Sequence, residues 1–376
     1  MQLWDKISST VRWLPTSLWQ RSVRRATRAR PIHLLIALAD HFEPSILPAT
    51  PHLLAPRDEQ ERRLERWCRE YPKIADRHRD VDGRPFRHTY FSPAEQYDGS
   101  LLSRLADHCQ QGWGEVEIHL HHGLSNPDNS QSTRRTLFEF RDRLATHGCL
   151  SRLDGVGPPR YAFVHGNWAL ANSAGGRYCG VDDELEILAE TGCYADFTLP
   201  SAPNSAQTRK INSLYECTPP LSRRAAHRRG SNLRVGTRVQ RFPLIVQGPL
   251  LMAMRRRGSS LPRPYIESSE LSGTNPPTIA RLRLWQSASV IVRGRPDWIF
   301  VKLHCHGMDP RDEPAMFGEP LEAFLRELLA HGDSVRTHFV SAREMVNVIL
   351  AACDERDGDP GLYRDYRLGL LHGARR

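Results

Sequence analysis

From residue 31 onward the chain alternates two kinds of hydrophobic pattern. Short, nearly continuous apolar runs occupy 32–39, 86–91, 116–121, 161–165, 194–199, 243–247, 298–304 and 336–340, and runs of this length predict buried β-strands. Between them, residues 57–79, 95–111, 132–147, 181–191, 278–291, 319–331 and 341–354 carry apolar positions at helical spacing. Ser341 followed by Glu344 adds a capping box at the start of the last of these. Strand–helix alternation predicts an α/β fold built on a parallel sheet. Seven or eight strands with no dinucleotide glycine fingerprint favour a barrel over an open doubly wound sheet. No internal repeat or heptad pattern is present.

The rhythm breaks between 200 and 278, a stretch rich in Pro, Ser, Arg and Gly that includes "LSRRAAHRRGSNLRVGTRVQR" and "MRRRGSSLPRPY". It is expected to be an insertion in a domain spanning 31–355, forming a lid or a substrate-facing loop. Residues 1–30 form a basic amphipathic segment, with Leu3, Trp4, Ile7, Val11 and Leu14 on one helical face. Such a segment either packs across the base of the domain or lies peripherally on an anionic membrane surface. Residues 356–376 are expected to be a C-terminal tail.

Composition narrows the class only modestly. With 376 residues, 39% hydrophobic and 25% charged, the chain has the make-up of a soluble globular protein of one large or two smaller domains. A formal net charge of +9, carried almost wholly by arginine, suits an anionic partner or simply reflects arginine usage. The eight cysteines show no CxxC pairing, which fits a reducing compartment and disfavours a cysteine-rich zinc site. No run approaches about 18 apolar residues, so the expected location is cytoplasmic, with membrane contact limited to the periphery.

The chemistry gathers at strand ends. His119-Leu-His121 and His304-Cys-His306 each close a strand-like run, and residues two apart on a strand share a face. The first strand ends in Asp40, His41 and Glu43. Imidazoles and carboxylates at one rim of a parallel sheet predict a divalent metal site, zinc above all, held by His119, His121 and one of Asp40 or His41. His304 and His306 either complete the ligands or act as general acid, and Asp40 or Glu43 would take a proton from metal-activated water. "YAFVHGNWALANS" places His165, Asn167 and Trp168 after another strand, an aromatic-and-amide set suited to sugar recognition or to an ordinary turn. Asp196 ends the following strand and would orient a histidine or cap a turn. There is no phosphate-binding GxxxxGK[ST] loop, no HExxH and no GxSxG, and the aromatic–basic interleaving of an RNA-binding motif is missing, so no nucleic-acid partner is expected.

The order of these motifs resembles the polysaccharide deacetylases, carbohydrate esterases of the wider glycoside hydrolase/deacetylase superfamily. "ADHFEP" is similar to their first motif, "EVEIHLHHG" to a variant second motif, and "VKLHCHG" stands where the closing Leu-x-His strand falls, so the likeness covers about residues 32–310. The resemblance implies Asp40 as base and His41 at the place of a metal-binding aspartate. It also implies His119 as the first metal histidine, and His304 or His306 assisting the leaving group. Gly123 occupies the usual second histidine position, so His121 would substitute, and "HGNWAL" replaces the Arg-Pro-Pro-Tyr type third motif. The implied fold is a distorted (β/α)7 barrel, and the implied reaction is removal of an N- or O-acetyl group from a glycan or a lipid- or nucleotide-linked sugar. Arg228 and Arg229 would meet the phosphates of such a carrier. A metal-dependent amidohydrolase or phosphoesterase acting on a small molecule, and a non-catalytic carbohydrate-binding barrel, are the alternatives.

Overall fold

The computed structural model describes residues 3–23, 31–50, 53–255, 261–330 and 335–371, with the side chains of residues 3–9 outside that set. Eight parallel strands form its centre: β1 (Ile32–His41), β2 (His88–Pro93), β3 (Gly114–Leu120), β4 (Val156–His165), β5 (Cys193–Asp196), β6 (Leu244–Val246), β7 (Trp298–Cys305) and β8 (Val335–Phe339). Each coincides with one of the apolar runs. The helices are α1 (Leu3–Val23), α2 (Arg57–Ala75), α3 (Gly99–His108), α4 (Ser130–Thr146), α5 (Glu184–Thr191), α6 (Ile279–Ser287), α7 (Glu313–Phe317), α8 (Glu319–Leu329) and α9 (Ala342–Cys353). The capping box of α9 forms as expected, with Ser341 and Glu344 exchanging hydrogen bonds.

The sheet runs β7-β1-β2-β3-β4-β5-β6. β8 joins the N-terminal half of β1 (Ile32–Ile36), and β2 joins its C-terminal half (Leu38–His41). The result is a mixed α/β fold with a mostly parallel central sheet. No strand ladder joins β6 to β7 among the described residues, so a closed barrel is not formed by pairing. The two edges nonetheless approach: a Cβ on Gly248, just past β6, would meet the Lys302 carbonyl of β7 at 2.4 Å. Glycine is required there because the two backbones touch.

Alternation along the strands divides the interior into two apolar clusters. Leu34, Ile36 and Leu38 pack outward with Leu64, Trp67 and Tyr71 of α2. Leu35, Ala37 and Ala39 pack inward with Val164, Phe300 and α9, which is buried along its whole length. The stretch 200–278 is more than a loop. Leu214–Cys217 pairs antiparallel with β6 and with Gly230–Asn232, and β6 itself lies inside the stretch. Leu251–Arg255 and Arg263–Glu267 form a separate hairpin. At the end of the chain, Leu368–Leu370 pairs with Ser151–Leu153, so residues 356–371 pack onto the domain.

α1 packs across the domain through a face other than the expected one. Trp13, Ser17 and Gln20 are buried, with Trp13 against Ile211 and Leu250 and the Gln20 amide donating to the Ile211 carbonyl. Val11 and Leu18 stand 60% and 57% exposed. The side chains of Leu3, Trp4 and Ile7, and the basic residues 24–30, lie outside the described set. Among the described residues no helix is long and apolar enough to cross a membrane.

Candidate metal centre

Because β1 and β3 are parallel strands on either side of β2, their C-terminal ends finish at the same rim. His119 is an inward position of β3 and His121 follows on the same face. Just past β1, Glu43 brings its Oε1 to 3.2 Å from His121 Nε2 and 3.6 Å from His119 Nε2. Each imidazole has its second nitrogen engaged. His119 Nδ1 lies 2.9 Å from the Val164 carbonyl, which can only accept, so Nδ1 carries the proton and Nε2 presents a lone pair. His121 Nδ1 lies 2.7 Å from Glu95 Oε1, and its main-chain N–H donates to the same carboxylate. A carboxylate or carbonyl behind each histidine is the usual support for a metal-binding imidazole. His119 Nε2 is buried and has no hydrogen-bond partner, a costly state unless something accepts its lone pair. The donor set Glu43, His119 and His121 therefore fits a divalent cation of the nitrogen- and oxygen-preferring kind.

Three further histidines, His41, His304 and His306, lie beside this trio. The His41 ring centroid is 4.8 Å from that of His119 and 4.8 Å from that of His306, while His304 stands at 6.3 Å. Burial, reinforced by His306, His119, His304 and Lys302, depresses His41 well below the ordinary imidazole range. His304 is pushed the same way by burial and by Lys302, His306 and Arg281, and its Nδ1 is buried without a partner. Burial also works against ionised Glu43. The neighbouring imidazoles of His119, His121 and His306 outweigh it and hold this carboxyl at about 2.

Several expected residues stand elsewhere. Asp40, expected as the base, is wholly buried on the opposite face of β1 from His41. There it is 2.8 Å from His88 Nδ1 and accepts the Gly307 N–H at 2.7 Å. Adjacent strand residues point to opposite faces, so one position separates the two roles. His165 likewise leaves the centre. It joins His122, Cys179 and Glu184 in a second buried cluster, where His122 Nε2 is 3.0 Å from Glu184 and 3.2 Å from His165. His122 Nδ1 is 3.0 Å from Asp128, so this imidazole sits between two carboxylates. Burial disfavours its charge, but Asp128, Cys179 and Glu184 raise it well above the ordinary value.

Asp196 turns its carboxylate to the Thr198 N–H and hydroxyl and orients no histidine. Its carboxyl is pushed up to about 7 by burial. The Asn167–Trp168 loop does reach the centre, through the preceding residue. A Cβ on Gly166 would fall 2.2 Å from the His121 ring, so the backbone lies directly on that imidazole. Trp168 is half-buried, and the Asn167 side-chain nitrogen is buried with no hydrogen-bond partner. Two supporting residues escaped the sequence reading: Glu95, which lies in a short turn after β2, and Gly166, whose role is visible only as a distance.

Fold and centre together define an α/β protein with a candidate cation site at the carboxyl ends of parallel strands. No protein-family model matches the chain, and no curated protein matches it. Among solved structures, the chain is similar to a Mycobacterium smegmatis protein that bears the provisional name polysaccharide deacetylase. The identity is 14%, the TM-score 0.42, and the alignment covers 87% of this chain and 92% of that one.

Proposed function

We propose that the chain is a metal-dependent hydrolase that removes N- or O-acetyl groups from a glycan or glycan precursor. The observation that carries this reading is the convergence of Glu43, His119 and His121, each histidine braced at Nδ1 with its Nε2 turned toward the Glu43 carboxylate. When bound there, a divalent cation such as zinc supplies Lewis acidity, which lowers the pKa of water to about 7 and polarises an acyl carbonyl. Glu43, His119 and His121 hold the cation. His306, just past β7 and with its ring against that of His41 at the end of β1, supplies the imidazole that would carry a proton to the departing amine or alcohol. Asn167 and Trp168 offer an unpaired amide donor and an aromatic face to a sugar ring.

Metal analysis of the purified protein tests the centre. About one equivalent of divalent cation is expected, absent from His119→Ala/His121→Ala and from Glu43→Ala. Acetylated sugars are then expected to lose acetate only with the metal-loaded wild type. The placement of Asp40 favours a second reading, a carbohydrate-binding protein without turnover, since the residue matching the base lies outside the centre. Tight glycan binding by a metal-loaded protein that releases no acetate would select it.

A further inference from the structure

Six arginines gather at one place on the molecule, and among the described residues no carboxylate pairs with them. Arg12 of α1 meets Arg209, Arg223, Arg224, Arg228 and Arg229 around two cavities of about 220 and 560 Å³, whose walls share Arg228 and Arg229 and contain no Asp or Glu. The contrast with α2 is direct, since Arg57, Arg62 and Arg66 there each pair with a carboxylate. Arg228 is half-buried, its Nε is buried without a hydrogen-bond partner, and burial together with Arg12 and Arg224 lowers its affinity for a proton. Concentrating like charges this way is unfavourable unless an anion completes the site. Guanidinium forks match phosphate oxygens, and six of them exceed the charge of a single phosphate.

We infer that this hollow binds a diphosphate group. The arginine loop is fastened to the loop that leaves the metal centre. Arg224 Nε donates to the Asn172 carbonyl at 2.9 Å, an Arg228 N–H donates to that of Ser173 at 3.3 Å, and Ala225 N–H to that of Ala171 at 2.6 Å. Seven residues before Ser173, Gly166 lies on the His121 ring. Seven residues span at most about 25 Å, so one extended substrate can reach both places. The diphosphate is then the carrier end of the glycan whose acyl group meets the metal, an assignment that rests on the function proposed above. The binding itself does not.

Inorganic pyrophosphate, titrated calorimetrically into the full-length protein with EDTA present to remove any cation, is the direct probe. Saturable binding is expected, at least tenfold weaker in Arg228→Glu/Arg229→Glu and in Arg12→Glu, and unchanged in His119→Ala/His121→Ala. Arg12 is an exposed residue of α1, so its variant serves if the double variant fails to fold. No saturable binding to wild type, or equal binding by the folded Arg12→Glu protein, overturns the inference. Competition by a nucleoside diphosphate would assign a soluble carrier. Arginine-dependent sedimentation with vesicles bearing a lipid diphosphate, but not with phosphatidylcholine alone, would assign a membrane-borne one. Intact pyrophosphate binding without metal-dependent acetate release would mean that the hydrolase reading has failed while the diphosphate site stands.

Discussion

At the scale of single residues, the candidate centre depends as much on what stands behind the histidines as on the histidines. Glu95 fixes the ring of His121, and Val164 fixes that of His119. Glu95→Gln removes the charge that orients His121 while leaving all three donors in place. Its cation affinity is expected to fall by roughly 10–100-fold, read by competition with a chelating dye. Gly166→Ala should act in the same direction for a steric reason, because its new methyl group cannot share space with the His121 ring. A variant of either kind that binds metal as tightly as wild type would remove the support argued for that residue. Neither position announces itself in the sequence. The spacing of His119 and His121 declares a shared face, but nothing in "HGNWAL" shows that its glycine touches an imidazole more than forty residues earlier.

At the scale of elements, alternation explains both the success and the failure of the motif reading. His41 and Asp40 are neighbours on β1, and the pleat sends one toward His119 and the other toward His88 and α2. Sequence establishes that the two must diverge; the packing of α2 decides which way. α1 shows the same division. Its apolar residues suggest one face, yet burial follows Trp13, Ser17 and Gln20, because Gln20 finds the Ile211 carbonyl and the Asn212 amide as partners. Trp13→Ala should release the helix locally, and amide exchange is expected to quicken across Leu3–Val23 with no change in β1. Unchanged exchange in α1 would mean that Trp13 does not anchor it.

At the scale of the molecule, a buried ionic network ties the C-terminal segment to the strands. Arg364 reaches Asp80, Asp82 and Glu344, Arg87 bonds Glu344, and Arg343 forks onto Glu115. Arg364→Ala would leave buried carboxylates unpaired, and a loss of roughly 3–5 kcal/mol is expected in denaturant unfolding. Glu344 resists ionisation through burial but is held well below the ordinary range by Arg87, Arg364 and Arg343. Asp82 is likewise depressed, by His338 and Arg364 against the cost of burial. A carboxyl with a depressed folded-state pKa contributes stability that is complete above its unfolded value, about 4, and is lost as pH falls toward the folded value. The melting temperature of wild type should therefore drop below about pH 5, and this acid slope should be shallower in Arg364→Ala. The sequence by itself determined the eight strands, seven of the eight helices α2–α9 (all but the short α7), and the pairing of His119 with His121, because periodicity and spacing are local properties of the chain. Tertiary structure alone decided that Glu43 rather than Asp40 faces those histidines, that His165 turns away from them, and that Arg12 joins Arg228. Each of these follows from which face of an element is covered by another distant in the chain, and that is settled only when the layers pack.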